Sequence, residues 1–273
     1  MAMVSYLDFT LFALLGMGAG TLAGMLGIGG GMVIVPGLFY LFSVMDLPSH
    51  SLMHLAAGSA TCIMIFTSAS STFSHHLRGD VQWDIFRRII AAIGTGVIIG
   101  NLLANRLDTQ WLETIFGVFL LVVSIKILLD WKPSFEETSS PPLWVVATVG
   151  VFIGFKSGIL GIGGGAISVP FLLYCGLPMS KASGTSASFT LPIAIVGTLS
   201  FLLFSQGYPD IAWTTGYIYW PAVALVAPFT MIGAPIGTKL SHVVSPQQLR
   251  RVFGLLLVAI GLRMFSGGIR FLA

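Results

Sequence analysis

The chain has 273 residues, of which 8% are charged and 55% hydrophobic, with 33 glycines and 13 prolines. A water-soluble domain carries roughly 25% charged residues, so this composition excludes one and indicates a polytopic membrane protein. The formal net charge of +3 is too small to argue for a nucleic-acid partner, and none is expected; the position of each cation along the chain carries the information.

Residues 1–10 hold no Lys or Arg and include Asp8, so a cleaved leader lacks its basic start. A membrane helix needs ~20 mostly apolar residues, and the sequence predicts full spans over 4–24, 52–74, 85–105, 110–130, 143–160, 182–205, 217–239 and 248–272. Two shorter apolar pieces, Met32–Met45 and Ala166–Leu177, each start directly after a glycine cluster. At 1.5 Å per residue they reach about 20 Å, so the glycine loops should be recessed into the bilayer. Backbone without helical hydrogen bonds survives there only inside protein or beside a wet cavity. Cys62 and Cys175 lie in apolar runs, which predicts buried free thiols.

Residues 24–36 read GMLGIGGGMVIVP and residues 158–170 read GILGIGGGAISVP, identical at nine of thirteen positions. Ala57-Gly58-Ser59-Ala60 aligns with Ser183-Gly184-Thr185-Ser186, residues 100–107 with 233–240, and Phe116-Gly117 with Phe253-Gly254. The chain is a duplication, with a first repeat over 1–131, a polar linker over 132–142 that holds Glu136, Glu137, Pro141 and Pro142, and a second repeat over 143–273.

Cytoplasmic loops carry the excess of Lys and Arg. The loop after the third segment is basic in the first half (Arg78, Arg87, Arg88), whereas its counterpart, 205–216, has no Lys or Arg and carries Asp210. The next loop reverses this, with Arg106, Asp108 and Glu113 against Lys239, Arg250 and Arg251. Equivalent loops on opposite sides require an odd number of crossings per half. The expected fold is therefore all-α and polytopic, with two inverted-topology repeats of about five helical segments each. Arg78, Arg87, Arg88, Lys132, Lys181, Lys239, Arg250 and Arg251 would face the cytoplasm, and Arg106 and Arg270 the outside. A parallel repeat with re-entrant short helices is the rival arrangement.

Inverted repeats with broken helices near the midplane are the architecture of secondary transporters, whose half-helix N-termini point at anionic groups. Gly29, Gly30 and Gly31, with Gly163, Gly164 and Gly165, are placed to expose such N-termini and let a ligand approach the backbone. The plainer use of these glycines is tight helix crossing. The third segments are dense in small hydroxyls, of which Ser59, Thr185 and Ser186 flank the duplicated glycine. They could donate to an oxyanion or bond their own helix and help it pack. Lys156, one turn before the second glycine cluster, is too deep to reach the surface easily and is expected to face the cavity as a counter-charge for an anion. Snorkelling or a neutral state in a packed interior is its alternative. Lys126 and Arg263 align with each other near helix ends and are read as snorkelling. Asn101 either lines the pathway or bonds a neighbouring helix. Neither His54 nor the pair His75-His76 makes a metal site, no phosphate-loop Lys-Ser/Thr pair follows either glycine cluster, and no buried acid stands out as a proton carrier. No metal and no cofactor are expected.

The duplicated glycine motifs, each followed by a glycine flanked by small hydroxyl residues, resemble those of the sulfite exporter TauE/SafE family of bacterial and archaeal membrane proteins, over nearly the whole chain. The resemblance implies a plasma-membrane transporter of sulfite or small organosulfonates, with Gly27, Gly29, Gly30, Gly31 and Pro36, and Gly161, Gly163, Gly164, Gly165 and Pro170, at the motif positions. Lys156 is not part of that motif. The expected activity is alternating access for a small sulfur oxyanion, in the direction of export, by a protein whose other partner is membrane lipid and which is not an enzyme. A passive anion channel or, further off, an intramembrane enzyme are the alternatives.

Overall fold

A computed structural model describes residues 6–26, 29–129, 142–204, 211–240 and 246–270. Gly27, the linker over 132–141, Asp210 and Lys132 lie outside the described residues, as do the side chains of Asp8, Arg250 and Arg270. The elements are α1 (Tyr6–Leu26), α2 (Gly31–Val44), a 3-10 turn (Ser49–Ser51), α3 (Leu52–Leu77), α4 (Trp83–Ala104) and α5 (Thr109–Leu128) in the first half. The second half holds α6 (Leu143–Leu160), α7 (Gly165–Tyr174), α8 (Met179–Leu203), the short strands β1 (Thr214–Thr215) and β2 (Ile218–Tyr219), α9 (Trp220–Leu240) and α10 (Pro246–Arg270). Eight of these helices are long and apolar enough to cross a membrane, and α2 and α7 are shorter apolar helices. The protein is thus an all-α polytopic membrane protein.

The start of the predicted span 217–239 differs. Tyr217 lies in a turn and Ile218–Tyr219 are extended: β2 pairs antiparallel with β1, Thr214 opposite Tyr219, and the helix starts at Trp220. Ile218 and Tyr219 are buried, and a short buried apolar run reads alike as strand or helix. Glu113 is likewise not a loop residue. It lies in the first turns of α5, is 8% exposed, and its carboxylate packs where a Cβ on Gly267 of α10 would stand. A buried acid is therefore present within a span, which the residue pattern alone does not reveal.

Helix packing follows the duplication. α1 packs along α9 and α4 along α6, while α3 packs on α8 and α5 on α10. Glycines set these seams. Cβ atoms on Gly16, Gly20 and Gly24 of α1 would strike the α9 backbone at Val226, Thr230 and Ala234 in turn, so the two helices run parallel in close contact. Gly96 and Gly100 of α4 meet Val151 and Phe155 of α6 in the same way, and Gly150, Gly154 and Gly158 of α6 return the contact. Small residues let backbones approach where lipid provides no hydrophobic drive between helices. α5 and α10, aligned as equivalents, run antiparallel, because Gly117 meets Gly261 and Phe265 while Gly254 meets Leu128. α3 and α8 are antiparallel too, with Thr61 against Gly197 and the turn at Asp80 against Gly184.

The cations gather at one end of the bundle. Arg78 after α3 donates through Nη1 to the Thr238 carbonyl near the end of α9 (3.1 Å), next to Lys239. Asp80 meets Gly184 near Lys181. Thr109 at the start of α5 bonds His50 just before α3, so α5 ends where α3 ends, and the antiparallel α10 brings Arg251 there. Arg106 lies at the opposite end.

Candidate functional site

The two glycine breaks meet inside the bundle. A Cβ on Gly31 would lie 2.8 Å from Ile162 Cα and 3.2 Å from the Gly163 nitrogen, in the second break, and 2.8 Å from Met64 Sδ, halfway along α3. A Cβ on Gly29 would strike the Thr190 side chain, halfway along α8, and one on Gly161 would come 2.6 Å from Ala57 Cβ. Gly29, Gly30, Gly31, Gly163, Gly164 and Gly165 are all buried. Gly31 and Gly29 thus stand level with the middle of α3 and of α8, inside the bundle.

The breaks differ in conformation. Gly29 and Gly30 have φ of 74° and 77°, left-handed values costly to a residue with a Cβ, and the Gly30 carbonyl accepts the first helical bonds, from Val33 and Ile34, both at 3.0 Å. In the second break the left-handed residue is Gly161 (φ 65°), which closes α6, whereas Gly164 before α7 has φ −70°. Its carbonyl accepts from the nitrogens of Ile167 and Ser168, both at 3.1 Å. In each short helix the first backbone N–H groups have no intrahelical acceptor, and they carry the positive end of the helix dipole. Both N-termini thus start at the shared contact.

Lys156 is 7% exposed. Its Nζ donates to the Gly163 carbonyl (2.8 Å) and lies 5.2 Å from the centre of the Phe119 ring. The ammonium is therefore attached to the second break itself, and a cation–π contact on α5 accompanies that bond. Its repeat position in α1 is Leu22, so one of the two breaks carries a cation.

The small hydroxyls divide into two sets. Ser59 accepts from the backbone N–H of Tyr219 (2.9 Å) and Thr185 from that of Gln82 (3.0 Å). Tyr219 and Gln82 each stand directly before the fourth helix of the opposite half, and Gly58 and Gly184 make room for the same two segments, at Tyr217 and Asp80. Each hydroxyl thus fixes the other repeat's chain through its oxygen, and its proton has no acceptor among the described residues. Ser186 pairs with Ser168 (2.7 Å), joining α8 to the third residue after the start of α7; the repeat equivalents are Ala60 and Ile34. Thr61 and Thr190 bond carbonyls four residues back in their own helices, Ala57 and Ser186, and Ser188 bonds the Thr185 carbonyl, the packing use of a membrane hydroxyl.

Ser168 is a further candidate residue that the duplication conceals, because its counterpart in the first half, Ile34, is apolar. Asn101 is fully buried; its Oδ1 accepts from Asn105 (3.2 Å), and its Nδ2 has no partner among the described residues. His54 bonds the Ala104 carbonyl (3.1 Å) and stacks on Tyr217, a structural assignment. Lys126 is exposed, and the exposed Arg263 lies over the Tyr40 ring of α2 at 4.6 Å. Cys62 is buried and Cys175 half-buried, both free thiols.

The chain resembles proteins described as probable membrane transporters. One, from Haemophilus influenzae, is 33% identical over 258 residues, covering 93% of this chain and 97% of its own. Another, YunE of Bacillus subtilis, is 25% identical over 96% of this chain and 99% of its own. A third, MJ0441 of Methanocaldococcus jannaschii, is 27% identical over 93% and 94%. No solved structure matches. A family model described as "Sulfite exporter TauE/SafE" matches residues 12–264, spanning both glycine breaks, and the chain belongs to this family of membrane transporters.

Proposed function

We propose that this multi-pass plasma-membrane protein is a secondary transporter that exports sulfite, or a related small sulfur-containing anion such as an organosulfonate or thiosulfate, by alternating access, and that it performs no covalent catalysis. The observation that carries the reading is the meeting of the two breaks. Two sets of helix N-terminal amides that lack intrahelical acceptors start at one buried contact, with Lys156 attached to the second break, and such donors suit an anion and not a cation. Gly29, Gly30, Gly31, Gly163, Gly164 and Gly165 would offer backbone N–H groups, Ser59 and Thr185 their unspent protons, Ser186 its place beside Ser168, and Lys156 its charge.

The contact between Gly31 and Ile162 is shut, so admitting an anion requires the breaks to separate. The supporting packing is that of two halves, 1–131 and 143–273, in which equivalent helices cross antiparallel while α1 follows α9 and α4 follows α6. Two inverted repeats rocking against each other would open the contact towards either end in turn.

The test is counterflow in liposomes holding the purified chain, with sulfite, thiosulfate, sulfoacetate and sulfate each loaded on one side. Saturable flux with trans-stimulation by a sulfur anion supports the reading. Flux linear in concentration without counterflow would make the protein a channel, and no flux with any of the four would overturn the substrate class.

A further inference from the structure

Beyond Met64 at the glycine break, the buried face of α3 carries a polar stripe to the basic end: Thr67 and Ser68, then Ser71 and Thr72, then His75, at steps of three and four residues. These positions share one helix face. Thr67 bonds Thr230 of α9 (2.7 Å) and Ser68 returns its proton to the Met64 carbonyl (2.5 Å). Ser71 Oγ and Thr72 Oγ1 do neither. They are 2% and 8% exposed and have no partner among the described residues. A helical Ser or Thr can nearly always bond the carbonyl a turn back, and an unpaired buried hydroxyl costs about 1–3 kcal/mol, so two in succession indicate a missing ligand. Across the interface, Ser183 of α8 is 6% exposed and also has no partner. Because Gly197 lies against Thr61 and Gly184 against Asp80, the antiparallel register sets Ser183 level with His75. The stripe ends where His75 Nδ1 meets Asp80 Oδ2 at 3.4 Å.

The duplication supplies an internal comparison. In the second half the equivalent stripe reads Thr190, Ile193, Ala194, Gly197, Thr198 and Phe201. Thr198 Oγ1 and, at the end of α4, Asn101 Nδ2 and Asn105 Oδ1 lack partners there among the described residues, but no continuous polar face along α8 joins them to the breaks.

We propose that the basic-end half of the α3–α8 interface is an entry station for a small hydrated oxyanion, held by Ser71 and Thr72 on one wall and Ser183 on the other, between the His75–Asp80 mouth and Gly31. It rests on the transport reading and makes the two sides of the carrier unequal. The anion waits in a polar half-channel at the basic end and crosses an apolar seal beyond the breaks.

The test uses the full chain with Cys62→Ala and Cys175→Ala, in membranes, carrying Ser71→Cys, Ser183→Cys or Thr198→Cys. Each is treated from the basic side with the membrane-impermeant 2-sulfonatoethyl methanethiosulfonate or its trimethylammonium counterpart, with and without sulfoacetate. The expected result is labelling at positions 71 and 183 about tenfold faster than at 198, faster with the anionic reagent, and slowed about threefold by sulfoacetate, differences of the size one or two hydrogen bonds give. Equal rates with both reagents, meaning water alone, or no labelling at 71 and 183, overturn the station. Thr72→Val guards against damage from the cysteines: it should raise the half-saturating anion concentration at the basic face about fivefold and leave the opposite face unchanged, whereas equal change on both faces overturns it. A wild type that carries no sulfur anion, with the reagent selectivity still present in the Ser71→Cys and Ser183→Cys variants, would remove the proposed function and leave the station standing.

Discussion

Under the proposed function Lys156 has two roles that substitution can separate, because its Nζ anchors the Gly163 carbonyl and would supply positive charge beside the second helix N-terminus. Lys156→Gln retains a donor without the charge, whereas Lys156→Met removes both. We expect both variants to lose at least about tenfold in anion affinity, and Lys156→Met alone to lose a further 1.5–3 kcal/mol, roughly, of stability, the usual worth of a charged donor on a buried carbonyl. Isothermal titration and thermal unfolding in detergent measure the two quantities, and unchanged affinity in Lys156→Gln would restrict the residue to the anchoring role. Ser59→Ala and Thr185→Val each orphan one backbone N–H, of Tyr219 and Gln82, so each should lower stability by about 1–3 kcal/mol and by similar amounts, since the two bonds are repeat-related. Thr185→Ser should lose little, as read by the same unfolding measurement. The sequence singles out both hydroxyls through the duplicated glycine beside them. It does not reveal that their oxygens are already engaged, because their partners lie across the repeat boundary, 160 and 103 residues away.

Among the elements, the long helices are legible to within a few residues. Leu143–Leu160 is found with the predicted bounds, since a span of ~20 apolar residues has few other fates in lipid. Tyr217, Ile218 and Tyr219 are misread because their burial comes from docking on α3, at His54, Gly58 and Ser59, a tertiary cause with no local pattern. The glycine breaks are legible as breaks and not as neighbours of one another. Gly31→Ala tests that contact. Its Cβ would stand 2.8 Å from both Ile162 Cα and Met64 Sδ; the methionine can swing away, whereas the backbone of the other break has to shift. We expect Gly31→Ala to cut transport about tenfold or more, the effect of a misplacement of order 1 Å at a positioned site, while the protein still elutes as a single species from a sizing column. Gly94→Ala and Gly18→Ala, which meet nothing within 4 Å, should transport as the wild type does. Loss in those controls equal to that in Gly31→Ala would mean that helix propensity, not the contact between breaks, sets the effect.

For the whole molecule, the cations expected to orient the bundle and the cation proposed to bind its cargo lie in different places. Arg78, Lys181, Lys239 and Arg251 collect at one end, although they come from four separate helix termini, one in the first half (after α3) and three in the second (α8, α9 and α10). Such a gathering needs equivalent loops to exit on opposite faces: the turn after α3 is basic while the loop after α8 is not, and the turn after α9 is basic while that after α4 carries Arg106. A parallel duplication would place the turn after α3 and the loop after α8 at the same face and would mix basic with acidic loops there. α5 with α10 and α3 with α8 cross antiparallel, as an inverted pair of repeats would require. Positive loops are retained in the cytoplasm, so a reporter active only in the periplasm should be silent when fused after Gly79 and active when fused after Asp210, with a cytoplasm-active reporter giving the reverse. Equal signals at the two fusions would break the inverted arrangement and, with it, the rocking of one half against the other. The charge at Gly79 can then be used as a lever: neutralising Arg78, Arg87 and Arg88 together should raise the periplasmic signal there, because orientation follows the Lys and Arg count of short loops, and the packing seams between α1 and α9 and between α4 and α6 hold the two halves in one relation whichever way the bundle inserts.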